Sequence, residues 1–256
     1  METWNRKELK KKAKFRLKAN YWKGVLVSMI MVLITGGMSV TFKVPSGADS
    51  AETSEMASST FMGEITQIST GGIIAITLIL AVFVLIVIVI AFIVQALVCN
   101  PLEIGCNRFF YKNLEEDAEI KEVCYAFDRG YKNSVKVMFF RDLYTILWFL
   151  LFIIPGIVKA YEYSMIPYIL SENPNMDRKE VFAMSKQMMN GNKWKAFVLD
   201  LSFILWDILG VCTCGILYIF YIEPYKRLTN AGLYQTLKEE QLEKREQKII
   251  ADMIAE

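Results

Sequence analysis

The sequence predicts an all-α membrane protein. Six transmembrane segments are expected, arranged as three parallel repeated helical hairpins, each preceded by a basic interfacial amphipathic helix. Three observations carry this reading: long charge-free runs, a one-sided distribution of basic residues, and recurring motifs at fixed offsets. Of the 256 residues, 54% are hydrophobic and 22% charged, and mean hydropathy is +0.31. Residues 71–99 contain no Asp, Glu, Lys or Arg, and neither do residues 24–42. Runs of about 18 or more such residues read as membrane spans. There is no histidine, which excludes Ser-His and Cys-His catalysis and His-ligated metal sites.

The first element is residues 1–23, a basic amphipathic helix with nine Lys and Arg. Such a helix beside a first span is a topology signal or a membrane-surface element. A cleaved signal peptide fits poorly, because no A-x-A-like site follows the apolar run. Six apolar segments follow: Gly24–Phe42, Gly71–Cys99, Val137–Ile154, Ile157–Leu170, Ala196–Gly210 and Gly215–Pro224. The last four are short for a bilayer and carry Arg141, Asp142, Lys159, Glu162, Asp200, Asp207 and Glu223. They form hairpins turning at Pro155-Gly156 and at Gly210–Gly215, which either cross fully or are re-entrant and shielded by protein.

Sidedness follows from the basic residues. Segments 1–23, 100–136, 171–195 and 224–256 hold 26 of the 29, while loop 43–70 holds only Lys43. The positive-inside tendency puts both termini in the cytoplasm and loop 43–70 outside. The chain then reads as a single membrane domain, 1–256. Hairpin 1 covers 24–114 with its external loop 43–70, hairpin 2 covers 115–175, and hairpin 3 covers 176–237. A cytoplasmic helical tail occupies 238–256 and ends in an apolar patch of Ile249, Ile250, Met253 and Ile254.

The repeat is read from pairs of residues. Arg6-Lys7-Glu8-Leu9 matches Arg178-Lys179-Glu180-Val181 at an offset of 172, and Asn20, Trp22 and Lys23 match Asn192, Trp194 and Lys195 at the same offset. The middle copy keeps Asn133-Ser134-Val135-Lys136. Asp142-Leu143 and Trp148 correspond to Asp200-Leu201 and Trp206. Pro101, Asn107, Tyr111 and Leu114 match Pro224, Asn230, Tyr234 and Leu237 at an offset of 123. Each unit is a basic helix, an Asn-x-x-Lys lead-in, an apolar hairpin and a proline exit.

Several stretches resemble a bacterial membrane family known only as domain of unknown function 975. They are Arg6–Ser28, Ile153-Ile154-Pro155-Gly156-Ile157 with Tyr161-x-Tyr163-Ser164, and Ser185 through Trp206, followed by Pro224-Tyr225 and Tyr234. The resemblance implies a multi-pass membrane protein, mostly from Gram-positive bacteria, and supplies no established activity to transfer. The family's likeness to the membrane domain attached to some glycerophosphodiesterases hints at lipid-related work.

The candidate intramembrane polar residues are Asp142, Asp200, Asp207, Gln95, Lys159 and Glu162. A carboxylate inside a membrane is a functional-site candidate, but Asp142 and Asp200 also fit helix first turns at the interface. Asp200 and Asp207, seven apart, are expected on one helix face. Lys159 and Glu162 are expected to pair locally. Trp22, Lys23, Trp194 and Lys195 suit interfacial anchoring. The five cysteines read as packing residues. No catalytic residue, metal or cofactor is expected.

The expected function is a non-enzymatic multi-pass module of the cell membrane that organises lipids or partner proteins. The alternative is a transporter or exporter of small solutes or lipids that uses the carboxylates. The expected partners are the lipid bilayer and a membrane protein or a second copy, with no nucleic acid.

Overall fold

A computed structural model of the chain describes residues 4–34, 70–213 and 215–255. Every regular element among them is helical. Loop 43–70, expected to be external, lies outside the described residues save for its last residue, as do residues 35–42 of the first apolar segment and Cys214. The chain divides into two compact units, Met38–Gln95 and the remainder.

Of the smaller unit, the described part is α3, Thr70–Val94. It has no polar face: the large apolar residues from Ile76 to Val94 are exposed. The continuous helix Ile76–Lys112, 37 residues long, is the one helix among those described that is long and apolar enough to cross a membrane.

The larger unit begins with α1, Arg6–Ala19, started by Asn5, whose side chain accepts from the Lys7 amide at 3.0 Å. Such a cap satisfies one of the four unpaired amides at a helix start. Helix α2, Tyr21–Ile34, follows a bend of 107°. A π-helical turn, Gln95–Cys99, leads into α4, Asn100–Lys112. A 3₁₀ turn at Ile120–Cys124 and the single turn α5, Tyr125–Asp128, precede α6, Tyr131–Leu151. The chain reverses at Phe152 into α7, Ile153–Glu162, then α8, Ile166–Glu172. Next come α9, Arg178–Met189, α10, Lys193–Leu201, and α11, Ile204–Cys212. A second π turn, Tyr218–Ile222, enters the long α12, Glu223–Ala255.

Several boundaries recur at the offsets of the sequence motifs. Helices α1 and α9 start at Arg6 and Arg178, and α2 and α10 at Tyr21 and Lys193, both 172 apart. Asp177 caps α9 through the Lys179 amide as Asn5 caps α1. The π turns and the helices they lead into are 123 apart, starting at Gln95 and Tyr218 and at Asn100 and Glu223.

The core joins α1, α4, α8, α9 and the first half of α12. Ile104, Phe109 and Phe110 of α4 lie at its centre, fully buried. The 3₁₀ turn crosses α4 so closely that a Cβ on Gly105 would lie 1.8 Å from the Val123 carbonyl oxygen. Tyr234 of α12 stacks on Tyr168, meets the edge of Tyr111 and donates to Glu172 at 2.6 Å.

Two expectations change here. The apolar stripe of α1, Leu9, Ala13 and Leu17, is buried against α12 rather than turned to lipid. The face of α1 left outside carries Lys7, Lys11, Lys14, Phe15 and Lys18. A stripe at i, i+4 and i+8 packs equally well on protein or lipid, and the facing helix decides. Second, among the described cysteines only Cys106 is a buried packing residue: Cys99 is half-buried, and Cys124 and Cys212 are exposed.

Beyond Gln241 no described residue of α12 is buried, so Ile249, Ile250, Met253 and Ile254 stand exposed.

Candidate functional site

The charged residues of the hairpin segments form separate groups with side chains of α4, α10 and α12. Near the start of α4 and the middle of α6, Arg141 donates to both Glu103 oxygens at 2.9 Å and to Asp142 Oδ1 at 2.7 Å. Asn100, fully buried, donates to the other Asp142 oxygen at 2.7 Å. A paired fork of this kind is stronger than a neutral hydrogen bond and fixes orientation. Burial pushes the Glu103 carboxyl up, but Arg141, and beyond it Arg227, outweigh this and hold it below the usual carboxylate range. On α12, Arg227 pairs with buried Glu223 at 2.6 Å. Burial works against the Arg227 cation, and Glu223 overrides it, so the guanidinium holds its proton more tightly than usual.

A second group closes the base of hairpin 2. Lys159 and Glu162 form the expected local pair at 2.9 Å, and Lys193, from the start of α10, reaches the other Glu162 oxygen at 2.5 Å. Lys159 also lies 5.5 Å from the centre of the Trp148 ring.

The three aspartates do not converge. Asp142 belongs to the Arg141 group, and Asp200 accepts from the Tyr161 hydroxyl at 2.8 Å. Asp207 lies 4.0 Å from the Lys226 ammonium, and its Oδ1 is buried with no hydrogen-bond partner. The common helix face expected for Asp200 and Asp207 is not formed. The helix breaks between Leu201 and Ile204, where the Phe203 amide turns back to the Asp200 carbonyl at 2.9 Å. The Ser202 hydroxyl donates to the Leu199 carbonyl, competing with regular helix. Gln95 opens the first π turn. Among the described residues no group of three acidic or cysteine side chains could hold a metal ion.

Trp22 and Trp194 are each 73% exposed, one residue after the starts of α2 and α10. Lys23 donates to the Ala118 carbonyl at 3.5 Å. A cavity of about 440 Å³ is lined by Trp4, Asn5, Arg6, Trp194, Lys195 and Val198. Trp4, on its wall, donates to Asn192 at 3.1 Å.

Sequence reasoning missed Asn100, Glu103, Lys193 and Arg227, and noted Glu223 only as a charge in the last apolar segment. One signal was available: Asn100 and Glu223 each directly precede an exit proline, at the 123-residue offset. The arrangement binds and locks the hairpin bases. It brings no nucleophile, base and orienting group together.

Residues 120–241 match the model of a family described as protein of unknown function (DUF975), which bears out the resemblance over that segment. No curated protein and no solved structure matches the chain.

Proposed function

We propose that this DUF975-containing chain is a non-enzymatic, multi-pass module of the bacterial cell membrane that organises lipids. Both termini lie in the cytoplasm, and three hairpin units enter the bilayer from that side. One observation carries the reading: the hairpins expose continuous apolar surface, while nearly all their charges are paired at the bases. Leu150, Ile154 and Leu205 are 83%, 77% and 76% exposed, a surface that water disfavours and hydrocarbon accepts. The basic face of α1, the exposed Trp22 and Trp194, and the cavity between Arg6 and Lys195 support contact with anionic head groups. The recurring boundaries support the repeat between the first and third units.

The test is lipid analysis of the purified protein. Replacing Lys7, Lys11, Lys14 and Lys18 by Gln is expected to deplete co-purifying anionic lipid several-fold. Asp142→Asn, Asp200→Asn and Asp207→Asn combined should leave it unchanged. The opposite pattern contradicts the reading.

The alternative, a carboxylate-coupled transporter, is favoured by one specific observation, the unpartnered buried oxygen of Asp207. Solute flux in proteoliposomes that Asp207→Asn abolishes would decide for it.

A further inference from the structure

We infer that hairpins 2 and 3 do not cross the bilayer: they dip into its cytoplasm-facing leaflet and turn back near the centre. The inference rests on the membrane reading above and fixes what that reading leaves open, the depth of the hairpins and hence the lipid they meet.

The first ground is length. Between Asp142 and Lys159 the charge-free stretch is 143–158, and between Asp207 and Glu223 it is 208–222. Folded in two, each gives arms of about eight residues, a rise of about 12 Å. The hydrocarbon core is about 30 Å thick, and apolar stretches this short read as re-entrant rather than spanning. Full crossing would put the paired bases, Arg141 with Glu103 and Lys159 with Glu162 and Lys193, near the bilayer centre. There charged groups are expensive.

The second ground is the composition of the tips. A hairpin that crosses presents its tip to the far interface, where Trp, Tyr and charged residues collect. Residues 149–157 and 208–217 contain no Trp, Tyr, Lys, Arg, Asp or Glu. The aromatics with polar tips sit lower on the arms, as with Tyr144, Tyr161 and Tyr221.

The third ground is how the tips treat their backbone. In hydrocarbon every turn must satisfy its own polar groups. At Thr213 the hydroxyl donates to the Gly210 carbonyl at 3.0 Å and accepts from the Leu217 amide at 3.3 Å. The Gly215 amide closes back on the Gly210 carbonyl at 2.9 Å, with Gly215 at φ +81°, a conformation glycine adopts without strain. At the other tip the Phe152 amide donates to the Trp148 carbonyl at 3.0 Å, and its carbonyl accepts from the Gly156 amide at 3.1 Å. Pro155, in the first turn of α7, removes one amide that would otherwise lack a partner.

The consequence is asymmetric. Two apolar wedges add area to one leaflet, and the base carboxylates Asp142 and Asp200 lie at its head-group level.

The experiment uses the full chain with Cys99, Cys124 and Cys214 replaced by Ser and one tip reporter at a time: native Cys212, or Leu151→Cys with Cys212→Ser. Each is tested with a membrane-impermeant maleimide on intact cells. Each is then labelled with bimane and reconstituted in lipids brominated at different depths. The inference expects no labelling from outside and strongest quenching by bromines near the acyl-chain ends. Labelling from outside, with quenching strongest near the head groups, overturns it while leaving the membrane reading standing. Absence of quenching at any depth, with release of the protein by alkaline carbonate, overturns the membrane reading itself. Should Leu151→Cys misfold, the Cys212 reporter carries the same test.

Discussion

The guanidinium of Arg141 on α6 grips the carboxylate of Glu103 on α4 through two parallel hydrogen bonds of 2.9 Å, with both side chains only 16% exposed. The pair ties α6, at the base of its hairpin with α7, to α4. Removing Arg141 leaves the Glu103 carboxylate without its hydrogen-bonded cation, at a cost of about 3–5 kcal/mol, whereas removing Glu103 leaves Arg141 paired with Asp142 alone. Glu103→Gln and Arg141→Met are each expected to lower thermal stability in detergent strongly. The double variant should lose less than the sum of the two. Additive losses in a double-mutant cycle would show that the fork couples nothing.

Glu122 carries a pH dependence. Burial pushes its carboxyl up, but hydrogen bonds from Lys112 and Arg108, at 2.8 and 2.6 Å, hold it below its ordinary value. A carboxylate depressed on folding contributes stability that is fully present above its unfolded pKa, about 4.3. That contribution is lost as pH falls through the lower folded value. Melting temperature followed from pH 6 to pH 3 should therefore fall more steeply for the native chain than for Glu122→Gln. Parallel curves would remove Glu122 from the acid sensitivity.

Gly105 has no room for a side chain. Because the nearest obstacle is the Val123 carbonyl, at 1.8 Å from a built Cβ, relief requires moving backbone. Gly105→Ala is expected to shift the 3₁₀ turn off α4 and destabilise by several kcal/mol, a large overpacking effect. A melting temperature within about 2 °C of the native value would show the crossing to be looser than described.

These three sites show what the sequence makes legible. The offsets of 172 and 123 mark helix starts because their residues are boundary residues, such as Asn20, Asn192, Pro101 and Pro224. The break between Asp200 and Asp207 carries no Pro or Gly, and Ser202 and Phe203 alone do not announce it. Contacts such as Lys193 to Glu162 join residues 31 apart through the packing of α7, α9 and α10, and local pattern holds no trace of them. The stripe of α1 was visible, but its partner, α12, lies more than 200 residues away in sequence.

The cysteines divide by environment. Burial raises the Cys106 thiol to about 12, whereas Cys124 is exposed. Since the thiolate is the reacting species, maleimide at neutral pH should modify Cys124 within minutes in the folded, detergent-solubilised protein. Cys106 should react only after denaturation. Equal rates, read by peptide mass spectrometry, would contradict the burial of α4.

The central claim is that the core and its basic residues face the cytoplasm, with the hairpins rising from it into the membrane. Cys124, exposed beside the core, tests this most directly. A membrane-impermeant maleimide should label it in inverted membrane vesicles and leave it untouched in intact cells. Labelling in intact cells would contradict the account.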